Sequence, residues 1–230
     1  MMANEAPSSL KSRKTREALL EAALSRFRRQ GFEKATMRDI AEEAGLSLGA
    51  FYYYFKTKDE IVLAFYAQTS ADALKRNAEI VAGSNDFAKR FGALLTSNLS
   101  QLTRYRSLVS VLARQGTDLR NPISPFGKET KSIREEAIAM IEDCIGGSNL
   151  KVSRPLRPHL AKILWLYQLG IVFYWSNDIS RNQQNTVRLI DLSLPLLVRL
   201  LKLSSMPLFR SINRAAIEIV ELIEATGDTD

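Results

Sequence analysis

Bond-making chemistry has few residues to use in this sequence. There is one histidine, His159, and one cysteine, Cys144. A two-histidine metal motif, a disulfide and a cysteine zinc cluster therefore lack their ligands. A histidine-activated nucleophile would rest on His159 alone. Beside Arg157 and Lys162, His159 reads as an exposed residue at a helix start. Cys144 reads as a small core residue. Carboxylates are scattered and no phosphate-binding glycine loop is present. The expectation is no enzyme, no metal and no cofactor. The informative stretch is 36–55, TMRDIAEEAGLSLGAFYYYF, and its chemistry is recognition of an anionic polymer.

Small residues, hydroxyls and a glycine turn make that reading. Thr36 can cap a helix, with Asp39 three residues on as a capping-box variant. Gly45 supplies the positive φ of a tight turn, and Ser47 can cap a second short helix through Phe55. Ala41 and Ala44 let the two helices approach, while Leu46, Phe51 and Phe55 fill the inner face. This is the pattern of a helix-turn-helix whose second helix enters the major groove of DNA. Ser47, Gly49 and Ala50 are small enough to let the backbone come close to a duplex. Tyr52 can reach a phosphate, and Ala50 and Tyr53 lie where base edges could be read. Arg38 can reach a phosphate or a base edge, and Lys58 can bind a phosphate as a point charge. Thr36, Arg38, Ser47, Gly49, Ala50, Tyr52, Tyr53 and Lys58 are the candidate DNA contacts.

The elements that must position these groups read as helices throughout, so the fold class is all-α. Residues 1–14 read as a flexible basic arm, with Lys11, Arg13, Lys14 and then Arg16 free of intervening acids. A helix begins near Thr15, carries Leu20, Ala23, Leu24 and Phe27 on one face, and stops at Gly31. A fourth helix, capped by Thr57, runs to about Val81. Further helices are expected over 86–102, 107–115, 124–144, 157–178 and 183–202, with Pro195 kinking the last or ending it near Leu194. An amphipathic segment over 208–224 follows. The domains expected are a DNA-binding head over 15–57, an effector-binding and dimerisation domain over 58–205, and an extra C-terminal helix and tail over 206–230.

The stretch from Leu20 to Ile61 closely resembles TetR-type transcriptional regulators. The resembling residues include Leu20, Ala23, Phe27, Gly31-Phe32, Thr36, Asp39-Ile40-Ala41, Ala44-Gly45-Leu46-Ser47, Gly49-Ala50-Phe51-Tyr52, Tyr54-Phe55, Lys58 and Glu60-Ile61. Tyr53 stands where the family often has histidine, and Met37 where a second threonine or a valine is common. The operator sequence therefore does not carry over. The resemblance implies a three-helix DNA-binding domain, a helical regulatory domain and a homodimer. It also implies repression relieved by a small effector.

The C-terminal half suggests where effector and partner sit. Phe91, Leu95, Tyr105, Trp165, Gln168, Leu169 and Val172 are candidate walls of an apolar effector pocket. Gln168 is a polar group in an otherwise apolar helix and needs a partner when buried. Apolar residues cover more than one face of 186–201, as they do of 157–178, which suggests burial on both the chain's own core and a partner. A symmetric four-helix interface follows, with Tyr167, Ile171, Tyr174, Leu189, Leu196, Leu197 and Leu200 as its candidates. A symmetric dimer calls for a palindromic operator.

The whole chain has 32 basic and 25 acidic residues, a net charge of +7, but residues 1–60 hold only 11 and 9 of these. DNA affinity should thus come from placed contacts and dimer avidity. The most apolar stretch, Ile163–Trp175, spans thirteen residues, short of the roughly twenty a membrane span needs. No membrane partner and a cytoplasmic location are expected. The alternative is a ligand-binding helical protein that acts through protein partners without specific DNA binding.

Overall fold

The computed structural model describes residues 7–116, 118 and 121–227, which contain ten α-helices and no strand. The helices are α1 (Pro7–Gln30), α2 (Met37–Glu43), α3 (Leu48–Tyr54), α4 (Lys58–Ala82), α5 (Phe87–Leu102), α6 (Arg106–Gln115), α7 (Lys131–Gly146), α8 (Leu160–Asn177), α9 (Gln184–Leu203) and α10 (Arg210–Gly227).

Local chemistry sets the first four boundaries. Gly31 (φ 87°) closes α1, its N–H donating to the Phe27 carbonyl at 3.0 Å. Thr36 and Asp39 form a reciprocal capping box at the start of α2. Gly45 (φ 67°) makes the turn into α3, and Ser47 caps α3 by accepting from the Ala50 N–H. Thr57 caps α4, with Asp59 and Glu60 in its first turn, where the helix dipole favours negative charge.

Two cores hold the molecule. The first contains Leu20, Leu24 and Phe27 of α1, Ile40 of α2 and Phe51 of α3. It continues without a break into Ile61 and Phe65 of α4 and Leu108 and Leu112 of α6. A sequence boundary at residue 57 is therefore crossed by the packing. The second core joins α5, α7, α8 and α9 around Phe87, Phe91, Ile141, Leu164 and Leu194. Arg90 is buried there and closes the C-terminal end of α7. Its guanidinium donates to the carbonyls of Cys144 (2.9 Å), Asp143 (3.1 Å) and Ser84 (2.8 Å), which places positive charge at the negative end of the helix and gives the Cys144 carbonyl a partner.

Three expectations change. Helix α1 already begins at Pro7, so 7–14 is helical; the arm proposed over 1–14 otherwise falls on residues 1–6, outside the described residues. Residues 124–130 are not helical, because Pro122, Pro125 and Gly127 favour successive turns there; these are fixed by Ser124 and Thr130, whose hydroxyls donate to the carbonyls of Gly116 and Ser124. Helix α9 runs through Pro195 instead of ending at Leu194. Leu194 on one side of the proline and Val198 and Leu201 on the other are buried, and this packing outweighs the lost hydrogen bond. The C-terminal segment forms the expected helix, α10, anchored by buried Asn213 and Val220.

Candidate nucleic-acid interface and ligand cavity

Helix α3 has two contrasting faces. Phe51 is fully buried, and Phe55 just beyond it is buried too. The opposite face presents Ser47, Gly49, Ala50, Tyr52 and Tyr53, all exposed, with Tyr53 at 76%. An added Cβ on Gly49 would meet nothing within 4 Å. Packing therefore does not ask for glycine here, and the position is open toward whatever docks on α3. Thr36 and Arg38 are exposed at the start of α2.

The scaffold beneath this surface is held by charge. Arg26 pairs with Asp39 (3.5 Å) and Glu43 (3.7 Å), and Arg29 also pairs with Glu43. Hydrogen bonds from the Thr36 side chain and backbone, helped by Gln30 and Arg26, hold the Asp39 carboxyl below the usual range against a modest burial penalty. The sequence reading missed this clamp, whose members lie far apart in the chain. Lys58 departs from its expected role. Its ammonium donates to the carbonyls of Phe32 (2.9 Å) and Glu33 (3.3 Å) and lies over the Phe32 ring. It pins the start of α4 to the turn after α1, and is engaged within the fold.

A cavity of about 240 Å³ opens between α4, α5, α6, α7 and α8. Trp165, Gln168, Leu169 and Val172 of α8 line it as the sequence suggested. Phe91 and Leu95 do not. They lie in the second core on the inward face of α5, where Phe91 packs on Phe87 and Tyr167. Tyr105 is also off the cavity. It is buried against Phe65 with Arg28 of α1 over its ring. The walls that the sequence did not reveal come from α4, α6 and α7, among them Tyr66, Val109, Leu112 and Met140. Each sits on an ordinary amphipathic helix, and only the tertiary arrangement turns it toward a cavity. Burial pushes the Tyr66 phenol well up, so it stays a neutral hydroxyl.

The proposed partner face divides as well. Tyr174, Leu196 and Leu200 are exposed, together with Val187, Leu192 and Leu203. On α9, 192, 196, 200 and 203 form one stripe opposite buried Leu194, Val198 and Leu201. Leu189 and Leu197 are half-buried. Ile171 is buried within the chain's own core and is not available to a partner, because its side of α8 faces inward. Tyr167 is half-buried and its hydroxyl is within 2.7 Å of Ser193 Oγ, tying α8 to α9. No single helix among the described residues is long and apolar enough to cross a membrane.

A helix-turn-helix head on a helical domain with an internal cavity defines a class of DNA-binding regulator, and sequence comparison assigns the family. Residues 19–65 match the profile of bacterial regulatory proteins of the tetR family, and residues 90–218 match a tetracyclin repressor-like C-terminal domain. The chain belongs to the TetR family and is a helix-turn-helix transcriptional regulator. It is 26% identical over 147 residues to the HTH-type transcriptional regulator TtgR of Pseudomonas putida, covering 64% of this chain and 68% of that one. It is 30% identical over 96 residues to the repressor KstR2 of Rhodococcus jostii, covering 42% and 47%. Among solved structures, a TetR-family regulator from Syntrophomonas wolfei superposes with a TM-score of 0.63 at 15% identity, covering 81% of this chain and 96% of that one. FadR of Bacillus subtilis in complex with stearoyl-CoA gives 0.60 at 18% identity, covering 79% and 97%. At these identities the structural likeness concerns the fold.

Proposed function

We propose that the chain is a cytoplasmic, homodimeric repressor that binds a palindromic operator and is released by a small hydrophobic effector. The carrying observation is the two-faced α3: Phe51 and Phe55 fix it in the core, while small and hydroxyl-bearing residues cover its open side. In this reading the head spans 15–57, and Thr36, Arg38, Ser47, Gly49, Ala50, Tyr52 and Tyr53 meet the DNA. Tyr52 and the capped helix start hold phosphates, and Ala50 and Tyr53 face base edges. The regulatory domain spans 58–205. The α9 stripe with Tyr174 forms the symmetric interface, and the 240 Å³ cavity takes the effector.

Helix α6 can connect the two sites. Val109 and Leu112 belong to the core shared with α1, and both line the cavity. At the α8 end, Arg106 donates to the Trp175 carbonyl (3.1 Å) and to that of Asp178. At the other end, Gln115 donates to Glu33 of the head. A ligand that shifts α6 would move the head relative to its twin. It must bind the two arrangements unequally, or no population shifts. The likeness to FadR in complex with an acyl-CoA supports a family cavity that admits apolar chains. The test is selection of binding sites from a random duplex library at near-physiological salt. An enriched palindrome is expected; weak, salt-sensitive binding without enrichment would overturn the reading.

A further inference from the structure

The cavity wall carries a line of three side-chain amides that the apolar surroundings do not require. Asn77 Nδ2 donates toward Asn98 Oδ1 (3.5 Å) and toward Met140 Sδ (3.7 Å). Asn98 Nδ2 donates toward Gln168 Oε1 (3.4 Å). Asn98, Gln168 and Met140 line the cavity, and Asn77 lies behind them, 3% exposed. The Asn77 Oδ1 is buried and has no hydrogen-bond partner. A buried amide oxygen without a partner is destabilising, so something holds the line in this direction.

Met140 accounts for the direction. A thioether sulfur only accepts, so the Asn77 amide must turn its nitrogen, not its oxygen, toward it. Asn98 then receives at Oδ1 and gives from Nδ2. Gln168 receives at Oε1, which leaves its Nε2 hydrogens without a protein acceptor among the described residues. The relay thus starts at a buried sulfur and ends in a donor at the cavity wall. Its internal distances are long, and chains of this kind strengthen when an acceptor completes them.

The remaining lining restricts charge. Among the described residues no carboxylate lines the cavity. The charged lining group among the described residues, Arg134, uses Nη1 on the carbonyls of Pro125 (2.9 Å) and Gly127 (3.1 Å). At about 240 Å³, the space exceeds the roughly 150 Å³ that holds one benzene ring, so two fused or linked rings or a chain of similar bulk fit. We propose that the cavity selects largely apolar molecules that carry no positive charge and bear a carbonyl or ether oxygen, which accepts from Gln168 Nε2. This rests on the reading of the cavity as the effector site and adds the class of effector.

The test uses two pairs of probes that differ only in the acceptor: 9-fluorenone against fluorene, and benzophenone against diphenylmethane. Each is measured by equilibrium dialysis against the full-length protein. The ketones are expected to bind about tenfold tighter, as one completed hydrogen bond into an apolar site allows. Gln168→Met keeps the bulk and removes the donor, so the preference should vanish while the hydrocarbons keep their affinity. Asn98→Leu, which cuts the relay while leaving Gln168, should reduce the preference in part and serves if Gln168→Met does not fold. Equal binding of ketone and hydrocarbon overturns the inference and leaves the cavity reading standing. A preference that survives Gln168→Met also overturns it. Binding of neither kind overturns the cavity reading, and the inference with it.

Discussion

Gly49 offers a test in which stability and DNA affinity should move in opposite directions. It sits in the first turn of α3, has no positive φ, and an added Cβ would meet nothing within 4 Å. Gly49→Ala should therefore stabilise the free protein. The gain is about 1 kcal/mol per protomer from helix propensity, or a rise of roughly 2–4 °C in melting temperature for a chain of this size. If the helix start docks against the duplex closely enough for glycine to matter, the same methyl group occupies the contact. Operator affinity should then fall by about tenfold or more, and Gly49→Leu should fall further. The assays are thermal melting by circular dichroism, and fluorescence anisotropy with the selected operator at fixed salt. A stabilised variant with unchanged affinity would refute close approach at Gly49. A destabilised one would refute the helical geometry assigned to it.

Three further outcomes follow from the same packing. Leu196→Glu with Leu200→Glu places charges on the exposed α9 stripe; the protein should sediment as a folded monomer and lose operator binding, and a persisting dimer would move the interface elsewhere. Leu169→Trp should fill the cavity and abolish effector binding at near-normal stability, whereas Phe91→Ala should destabilise by about 3–5 kcal/mol and leave the cavity wall intact; calorimetry and melting separate the two. Asp178 accepts from the Thr186 N–H and hydroxyl (2.8 and 2.7 Å) and from the Ser180 N–H (2.9 Å). Burial alone would raise its pKa, but these hydrogen bonds reverse that and hold it well below the ordinary carboxylate value. A depressed folded pKa means stability that is present above the ordinary value and lost as pH falls toward the folded one. Melting temperature should therefore drop on acidification through and below pH 4, and Asp178→Asn should flatten that part of the profile; a variant as acid-sensitive as the parent would remove Asp178 from the account.

The head was legible in the sequence because its signals are local. Caps at Thr36, Ser47 and Thr57 and the glycines at 31 and 45 act within a few residues, and the structure uses each as its chemistry dictates. The cavity is different. Gln168 stood out, since a lone amide in an apolar helix needs a partner. Phe91 and Leu95 drew attention by being large and apolar, but that property describes core and cavity wall alike. What separates them is position along α5. Phe91 and Leu95, nearer its start, pack into the second core with Leu194 and Val198 of α9, whereas Asn98 and Gln101, one to two turns further on, bond to α8 and α4. Ile171 shows the same ambiguity on α8, where an apolar residue suits an inward face as well as an interface. Lys58 shows it for charge: a lysine after a helix-turn-helix suggests a phosphate, yet the carbonyls that end the turn after α1 are acceptors much closer to hand. Local backbone chemistry fixes how a segment begins and ends. Which neighbour a side chain meets is decided by how helices pack across sequence separations of 21 to 70 residues, as the contacts from Asn98 to Asn77 and Gln168 illustrate. Polarity out of keeping with its surroundings is a signal that crosses that distance, and so the amide relay could be half anticipated at Gln168 while the apolar walls from α4, α6 and α7 could not.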